Sequence, residues 1–457
     1  MKLLAITAFS LLTVYLHAQC WQKIDAFGSH TVAIKTDGTL WTWGRNEFGQ
    51  LGNGSNNATQ NTPNQIGDLG DWLEVEAGFY FTIAIKMDGT MWAWGRNNYG
   101  QLGDGSFLDT NVPIQIGNST GWKQAAGGFN HAVAIKNDGT LWAWGSNIYG
   151  ELGDGTNIDR NVPTQIGSDS NWTQISAGNG HTVALKSDGT LWAWGWNWYG
   201  QLGDGTDIDR NAPVQIGSET NWQQIDAGGA YTLGKKSIGT LWAWGANING
   251  QLGDGTNIDR HTPVQIGSET DWEKVEGSYH SLAIKENGTL WAWGYNVDGQ
   301  LGDGTNLSQN VPKQVGTLTN WELVKAGVVH SIAIRTDSTL WTWGNNSYGQ
   351  LGNGTTENSN SPEQIPCFLD SFNGVSPPNE NLKIFPSPSQ DFIIINILNT
   401  ELVGWRGELR DGLGQTISIF PKVINNLKIE LHGISAGVYF FTIKGEAGQI
   451  TKRFIKI

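Results

Sequence analysis

From Trp21 to Ile365 the apolar residues fall in short runs that alternate with small or polar residues, separated by glycine, Asp-Gly and asparagine. No stretch between the runs carries a 3.6-residue rhythm, so the pattern predicts short strands joined by tight turns. One set of runs shows the order. Trp172-Thr-Gln-Ile opens, and a glycine turn leads to His181-Thr-Val-Ala-Leu-Lys. Asp-Gly leads to Leu191-Trp-Ala-Trp-Gly, then Gly-Gln-Leu-Gly-Asp-Gly, then Pro-x-Gln-Ile. The same order returns about every 50 residues, with W-x-W-G at Trp41, Trp92, Trp142, Trp192, Trp242, Trp291 and Trp341. Seven units of about four strands each read as the blades of a β-propeller. Radial stacking then covers faces that an isolated four-stranded sheet would leave bare.

Alternation also sorts the tryptophans. In a strand Trp192 and Trp194 share one face, and Leu191 and Ala193 share the other, so large faces are expected to meet small ones between blades. Of 24 tryptophans, 21 lie on this grid, three per blade, and are read as core. Trp196 and Trp198 lie off it. Their register begins Arg45, Arg96, Ser146, Trp196, Ala246, Tyr295 and Asn345, too varied for a scaffold position. It should gather at one end of the ring, with Arg45, Arg96, Trp196, Trp198 and Tyr295 as candidate binding residues. A second variable register, between the glycine turn and the histidine, contributes Phe79, Tyr80, Phe129 and Tyr279. The sequence leaves open whether the two registers share a face. The companions Phe48, Tyr99, Tyr149, Tyr199 and Tyr348 are read as packing.

After Pro366 the period stops. Residues 368–380 read as a polar, proline-containing linker, and residues 381–457 as a small antiparallel β-sandwich of about seven strands. At the other end, residues 1–18 (one early lysine, a short apolar run, a small residue at Ala18) have the layout of a secretory signal peptide. The apolar run is short for a membrane span, and no other stretch reaches that length. The expected ring is therefore 19–367, bracketed by the two cysteines, Cys20 and Cys367. In an exported protein they are expected to form a disulfide across the seam, the alternative being two free, buried thiols.

Charge narrows the partners. A formal net charge of −14 without a basic stripe argues against nucleic acid and anionic membrane surfaces. His30, His131, His181, His280 and His330 recur in register, with Phe81 and Tyr231 in the other two blades. A seven-fold ring spreads such positions too widely for one metal ion, so they are read as packing groups that hydrogen-bond the backbone. The Asp154-Gly-Thr-Asn-Ile-Asp159-Arg160 loop and its copies lack the oxygen spacing of a calcium loop and read as turns with Asp–Arg pairs. No nucleophile elbow, phosphate loop or dinucleotide fingerprint occurs, so no cofactor, no metal and no catalytic residue is assigned.

The glycine, His, Asp-Gly-Thr, W-x-W-G-x-N, Gly-Gln-Leu-Gly-Asp-Gly succession resembles the repeat of the regulator of chromosome condensation family from Trp21 to about Ile365. The resemblance implies a seven-bladed propeller and, by itself, no function. The tail motifs Ile384-Phe385-Pro386-Ser387-Pro388-Ser389, Asp411-Gly-Leu-Gly-Gln415, Gly437-Val-Tyr439 and the ending Lys452-Arg453-Phe-Ile-Lys456-Ile457 resemble the C-terminal sorting domain of the Bacteroidetes type IX secretion system. Ser387 stands where that family usually has asparagine. This resemblance implies passage through the periplasm and outer membrane, using the secretion machinery as partner, to the cell surface or medium. The function expected is a secreted, non-catalytic, monomeric binding propeller for an unidentified extracellular protein or glycan. Alternatives are a glycan-processing protein and, remotely, guanine-nucleotide exchange.

Overall fold

Twenty-eight strands in the first unit form seven four-stranded antiparallel sheets in which sequence order is spatial order. The computed structural model divides the chain into units Met1–Leu369 and Asp370–Ile457. It describes residues 21–67 and 69–366 of the first unit, and 382–385, 392–397, 406–411, 416–422, 427–435, 437–445 and 448–456 of the second. The expected signal peptide, the linker, Cys20 and Cys367 lie outside the described residues.

Blade 4 represents the others. Its strands are Trp172–Ala177, His181–Lys186, Leu191–Gly195 and Arg210–Gln215. The first strand lies innermost and the fourth, which carries Pro213, is the outer edge, where a missing N–H costs no ladder bond. Trp172 meets Trp192 and Trp194 edge to face, with centroids 5.9 and 6.1 Å apart, and such a triad recurs in every blade. Each triad faces backward. Trp172, Ile175, Ala184 and Trp194 share a core with Val133, Leu141, Ala143 and Ile166 of blade 3. On the opposite face Val183, Leu191 and Ala193 meet Trp222 and Trp244 of blade 5. Large therefore meets small at each junction, as the alternation predicts. The buried Trp194 indole donates Nε1–H to the Glu151 carbonyl of the preceding blade at 2.9 Å. The half-buried Trp192 donates to Thr190 Oγ1 at 2.9 Å, with Lys186 Nζ 3.9 Å from its ring centroid.

The ring closes by the same contact. Trp21, Ala33 and Trp43 of blade 1 share a core with Ile332, Leu340 and Ile365 of blade 7, and Trp43 Nε1 donates to the Gln350 carbonyl at 2.9 Å.

A second seam runs through the recurring histidines. His30, His131, His181, His280 and His330 each place Nε2 2.7–3.2 Å from a hydroxyl of the next blade: Thr82, Thr182, Thr232, Ser331 and Thr31. Each hydroxyl already donates to a backbone carbonyl, such as Thr182 to Glu151 at 2.8 Å, so Nε2 is the donor in each pair, and burial, which lowers each ring to about 3, keeps it neutral. At the two remaining steps an aromatic ring replaces the histidine, and at one of them the hydroxyl is lost with it. Phe81 faces a blade whose hydroxyl position is Ala132, and Tyr231 Oη sits 2.7 Å from Ser281 Oγ. The expected packing role holds, but the Nε2 partners are side-chain hydroxyls of the next blade rather than the expected backbone groups.

The hairpin between the second and third strands shows why its glycine recurs. At Gly189 φ is +78°, and a Cβ would stand 2.1 Å from the Thr220 carbonyl oxygen leading into the next blade. Gly189→Ala is expected to destabilise by about 2 kcal/mol through strain and clash together, read as a lowered urea midpoint.

The second unit is a two-sheet sandwich. One sheet holds Leu382–Phe385, Phe392–Ile397 and Leu427–Glu430, and the other holds Thr416–Phe420, Arg406–Asp411, Gly437–Gly445 and Gly448–Lys456. Ile393, Ile395 and Ile429 of the first meet Leu409, Phe441 and Ile443 of the second in one buried core.

Candidate binding face

The chain direction brings both variable registers to one end of the blades. The turn after each inner strand and the long loop after each third strand are joined there by backbone hydrogen bonds. Arg45 N donates to Ser29 O at 3.0 Å, Arg96 N to Tyr80 O at 2.9 Å, and Trp196 N to Gly180 O at 2.7 Å.

A buried asparagine holds each long loop. Asn197 Oδ1 accepts from Leu202 N at 3.0 Å, while Nδ2 donates to Asp204 Oδ1 and the Thr206 and Ile208 carbonyls at 3.1 Å. Asp204 also takes the Arg210 guanidinium at 2.7 Å, and Asp209 caps Asn197 N at 2.8 Å. These carboxylates behave as the turn acceptors and Asp–Arg pairs that the loop sequence implies. Burial opposes the charge on Asp204, but its bonds from Thr206 and Arg210 prevail and hold its carboxyl below the usual range.

On this frame five candidates converge over blades 1 to 3. Arg45 lies 5.0 Å from the Tyr80 ring and 4.7 Å from Tyr348, with Glu47 2.6 Å from its guanidinium. Arg96 lies 5.0 Å from the Phe48 ring and 5.4 Å from Tyr80. Phe79 contacts Tyr80 at 4.5 Å and Phe129 at 4.1 Å between centroids. The result is a cationic and aromatic cluster on one side of the ring.

Blade 4 carries a separate group. Trp196 stacks on Tyr149 of blade 3 at 5.7 Å and meets Tyr199 edge-on at 5.5 Å, while Trp198 is 72% exposed. Tyr279 of blade 6 accepts from Asn179 Nδ2 of blade 4 at 3.1 Å, passing over Gly229 of blade 5. Tyr295 is half-buried, and no ring contact or hydrogen bond joins it to the other candidates among the described residues. The companion aromatics do pack, but Phe48, Tyr149, Tyr199 and Tyr348 pack against candidates rather than in the blade core. Their constancy alone does not reveal this, because a rim residue that supports a variable neighbour can itself stay constant.

The inner strands line a cavity of about 110 Å³ that the sequence reading did not single out. Asp25, Glu76, Asp226 and Glu276 face it with Lys325, whose ammonium is 3.1 Å from Glu276 and 3.5 Å from Asp25. Burial works against the Lys325 charge, but these carboxylates hold it well above the usual lysine value. Burial pushes Glu276 up to about 8 despite Lys325, and raises Asp226 and Glu76 as well. In sequence these residues are the polar partners of an alternating strand, and nothing local marks them as facing inward. No group of three or more His, Cys, Asp or Glu among the described residues could hold a metal ion.

Comparison with known proteins places this geometry. Residues 10–234 match the RCC1-like domain, and residues 239–284, 287–334 and 337–376 match the regulator of chromosome condensation (RCC1) repeat. The chain belongs to the regulator of chromosome condensation repeat family. Its RCC1-type ring is followed, at residues 383–457, by a match to the secretion system C-terminal sorting domain. That tail is a type IX sorting signal, which directs the RCC1-type propeller to the cell surface or extracellular space. Among curated relatives, the ultraviolet-B receptor UVR8 of Arabidopsis thaliana is 40% identical over 91 residues, 20% of each chain. A protein RCC2 homolog of Danio rerio is 41% identical over 83 residues, 18% of this chain and 17% of its own. The matches thus span about a fifth of those relatives. The solved structure of human WBSCR16 superposes with TM-score 0.66 at 21% identity, covering 72% of this chain and 94% of that one. Prp20p of Saccharomyces cerevisiae gives TM-score 0.66 at 20% identity, covering 80% and 90%. At such identities the likeness is one of fold. No helix among the described residues is long and apolar enough to cross a membrane.

Proposed function

We propose that residues 1–18 are a signal peptide, that 19–367 form the ring with a Cys20–Cys367 disulfide at its seam, and that 368–380 link it to the sorting sandwich 381–457. The exported ring is a monomeric, non-catalytic binding protein that engages an extracellular partner through the end carrying the long loops. One observation carries this reading: Arg45, Arg96, Phe79, Tyr80 and Phe129 form a cationic and aromatic cluster at positions that vary, beside Gly and Asn positions that are identical in all seven copies. Such side chains are those on which interface energy concentrates. Prp20p, whose structure was described with its binding to Gsp1p and histones, illustrates a protein-binding use of the fold. A cytosolic exchange reaction does not fit an exported chain.

Glycan binding is a second reading, favoured by the exposed Trp198 indole beside Tyr199, which offers a flat apolar surface to a sugar ring. The test uses the immobilised protein, fractionated growth medium and a glycan array. Tyr80→Ala/Phe129→Ala and Trp196→Ala/Trp198→Ala are expected to weaken the retained partner at least tenfold while the ring stays folded, each losing no more than about 1 to 2 kcal/mol of stability with its rim ring contacts. Undiminished retention by both variants would reject this end of the ring, and turnover of a glycan would reject the non-catalytic assignment.

A further inference from the structure

The long loops present a second, different surface. Thirteen large apolar side chains of the described propeller are more than half exposed, and ten of them sit on these loops. Ile148, Trp198, Ile248 and Val297 each follow the buried asparagine on the outgoing arm of a loop. Leu108, Ile158, Ile208, Ile258 and Leu307 occupy one position on the returning arm. The arms are tied together, with Asn157 Nδ2 donating to the Ile148 carbonyl at 3.0 Å and Asn257 Nδ2 to Ile248 at 2.9 Å. Neighbouring blades are tied as well, Asn211 Nδ2 reaching Asn157 Oδ1 and Asn310 Nδ2 reaching Asn257 Oδ1, both at 3.3 Å. The exposed residues are therefore held in a fixed array, which lowers the entropy lost on binding.

The array is not needed to fold the loops. Blade 1 has Glu47 and Asn57 at these two positions and blade 7 has Ser347 and Glu357, yet Asn46 and Asn346 make the same bonds to Leu51 N and Leu351 N at 3.0 Å. Apolar surface thus runs over blades 2 to 6 and stops, an arc larger than single scattered residues. Its border is acidic. Asp109, Asp159, Asp209 and Asp259 follow the returning-arm residues directly. The loops' own cations are taken up internally, with Arg160, Arg210 and Arg260 held 2.6–2.7 Å from Asp154, Asp204 and Asp254.

We propose that this arc docks a basic amphipathic polypeptide segment, its apolar residues on the aliphatic pairs and its Lys or Arg side chains against the flanking aspartates. The proposal rests on the loop end being the binding end, and moves the contact from the aromatic cluster to the arc. Charge selects this occupant. A second copy would set one acidic border against another, and an anionic bilayer would be repelled by it. Eight of the ten exposed residues are aliphatic, which offers little to a sugar ring.

The test measures binding of the full chain to a synthetic peptide built from Leu and Lys and to its Leu and Glu analogue. The variant Ile148→Ser/Ile158→Asn/Ile248→Ser/Ile258→Asn installs polar residues that blades 7 and 1 already carry, so the loops are expected to fold. Leu69→Ser/Met87→Ser/Ile238→Ser, outside the long loops, is the control. The proposal expects binding of the Lys peptide, at least tenfold weaker in the arc variant and unchanged in the control, with the Glu peptide at least tenfold weaker throughout. It is overturned if the Lys peptide does not bind, if the arc and control variants bind alike, or if the Glu peptide binds equally. Arc-dependent self-association or binding to phosphatidylglycerol vesicles would also overturn it. If Tyr80→Ala/Phe129→Ala loses the peptide while the arc variant keeps it, the loop end stands as the binding end and the arc falls.

Discussion

Alanine at Trp194 is expected to cost about 3 to 5 kcal/mol, whereas alanine at Trp198, four residues on, is expected to leave the unfolding free energy from urea titration within about 0.5 kcal/mol of the parent. The two indoles belong to one short stretch but to different environments. Trp194 is fully buried in the junction of blades 3 and 4, edge-on to Trp172 and bonded to the Glu151 carbonyl. Truncation would open a cavity and strip the carbonyl of one of its two donors, leaving the Thr182 hydroxyl. Trp198 is mostly in water already. Because each blade touches only its neighbours, the Trp194 loss should loosen one junction while six hold, so a broadened unfolding transition is expected together with the lower midpoint. Equal midpoints for the two variants would contradict the assignment of core and rim.

The second large effect is acid unfolding through the histidine seam. Burial lowers His30, His131, His181, His280 and His330 from the ordinary 6.5 to about 3, with His330 adding to the effect at His30 and His280, and His181 at His131. Above 6.5 both folded and unfolded states hold these rings neutral, and the stability is fully present. Below 6.5 the unfolded chain takes up protons that the ring refuses, so stability falls as pH drops from 6.5 toward 3. Each histidine contributes about 1.4 kcal/mol per pH unit in that window.

Glu276, Asp226 and Glu76 act in the opposite sense. Their folded values are raised, so the stability they withhold at high pH returns as pH falls toward the ordinary carboxylate range. Below 6.5 these carboxylates offset part of the histidine slope, and once pH has fallen through their ordinary values the histidines are unopposed. With five histidines against three carboxylates, urea midpoints are therefore expected to fall once pH drops below 6.5, and to fall more steeply below about 4.5. The double variant His181→Phe/Thr232→Ala copies the pair that Phe81 and Ala132 already form. It should reduce the acid slope by about 1.4 kcal/mol per pH unit and remove one proton from the uptake on unfolding. An unchanged slope would show that His181 is not held neutral in the ring.

The repeat grid made most of the fold legible, because a strand that alternates Trp192 and Trp194 with Leu191 and Ala193 has only one way to stack on copies of itself. The tail was legible from its motifs and from alternation alike. The histidine seam was harder, since each partner hydroxyl lies in the next repeat. Its trace is the matched change of Phe81 with Ala132, visible only once neighbouring copies are compared. Candidate positions were found by their variation, but their grouping was not. Strand alternation ends where Gly195 takes a φ of +98°, and beyond it spacing no longer tells which way a side chain points. Ile158 and Ile208 escaped for a related reason, since the carboxylates of that loop mark it as a turn and its spacing does not tell whether the isoleucine between them is covered.

Closure of the ring by the same indole-on-aliphatic contact that joins every other pair has one more implication. Every copy presents the same kind of indole and aliphatic surface, so this contact by itself does not count the neighbours. A chain with one repeat more or fewer could form the indole-on-aliphatic contact at every junction but the last, so the number is set by how far each sheet turns from its neighbour. Duplication or loss of a whole unit is thus resisted by geometry alone, while the loops it carries remain free to diverge.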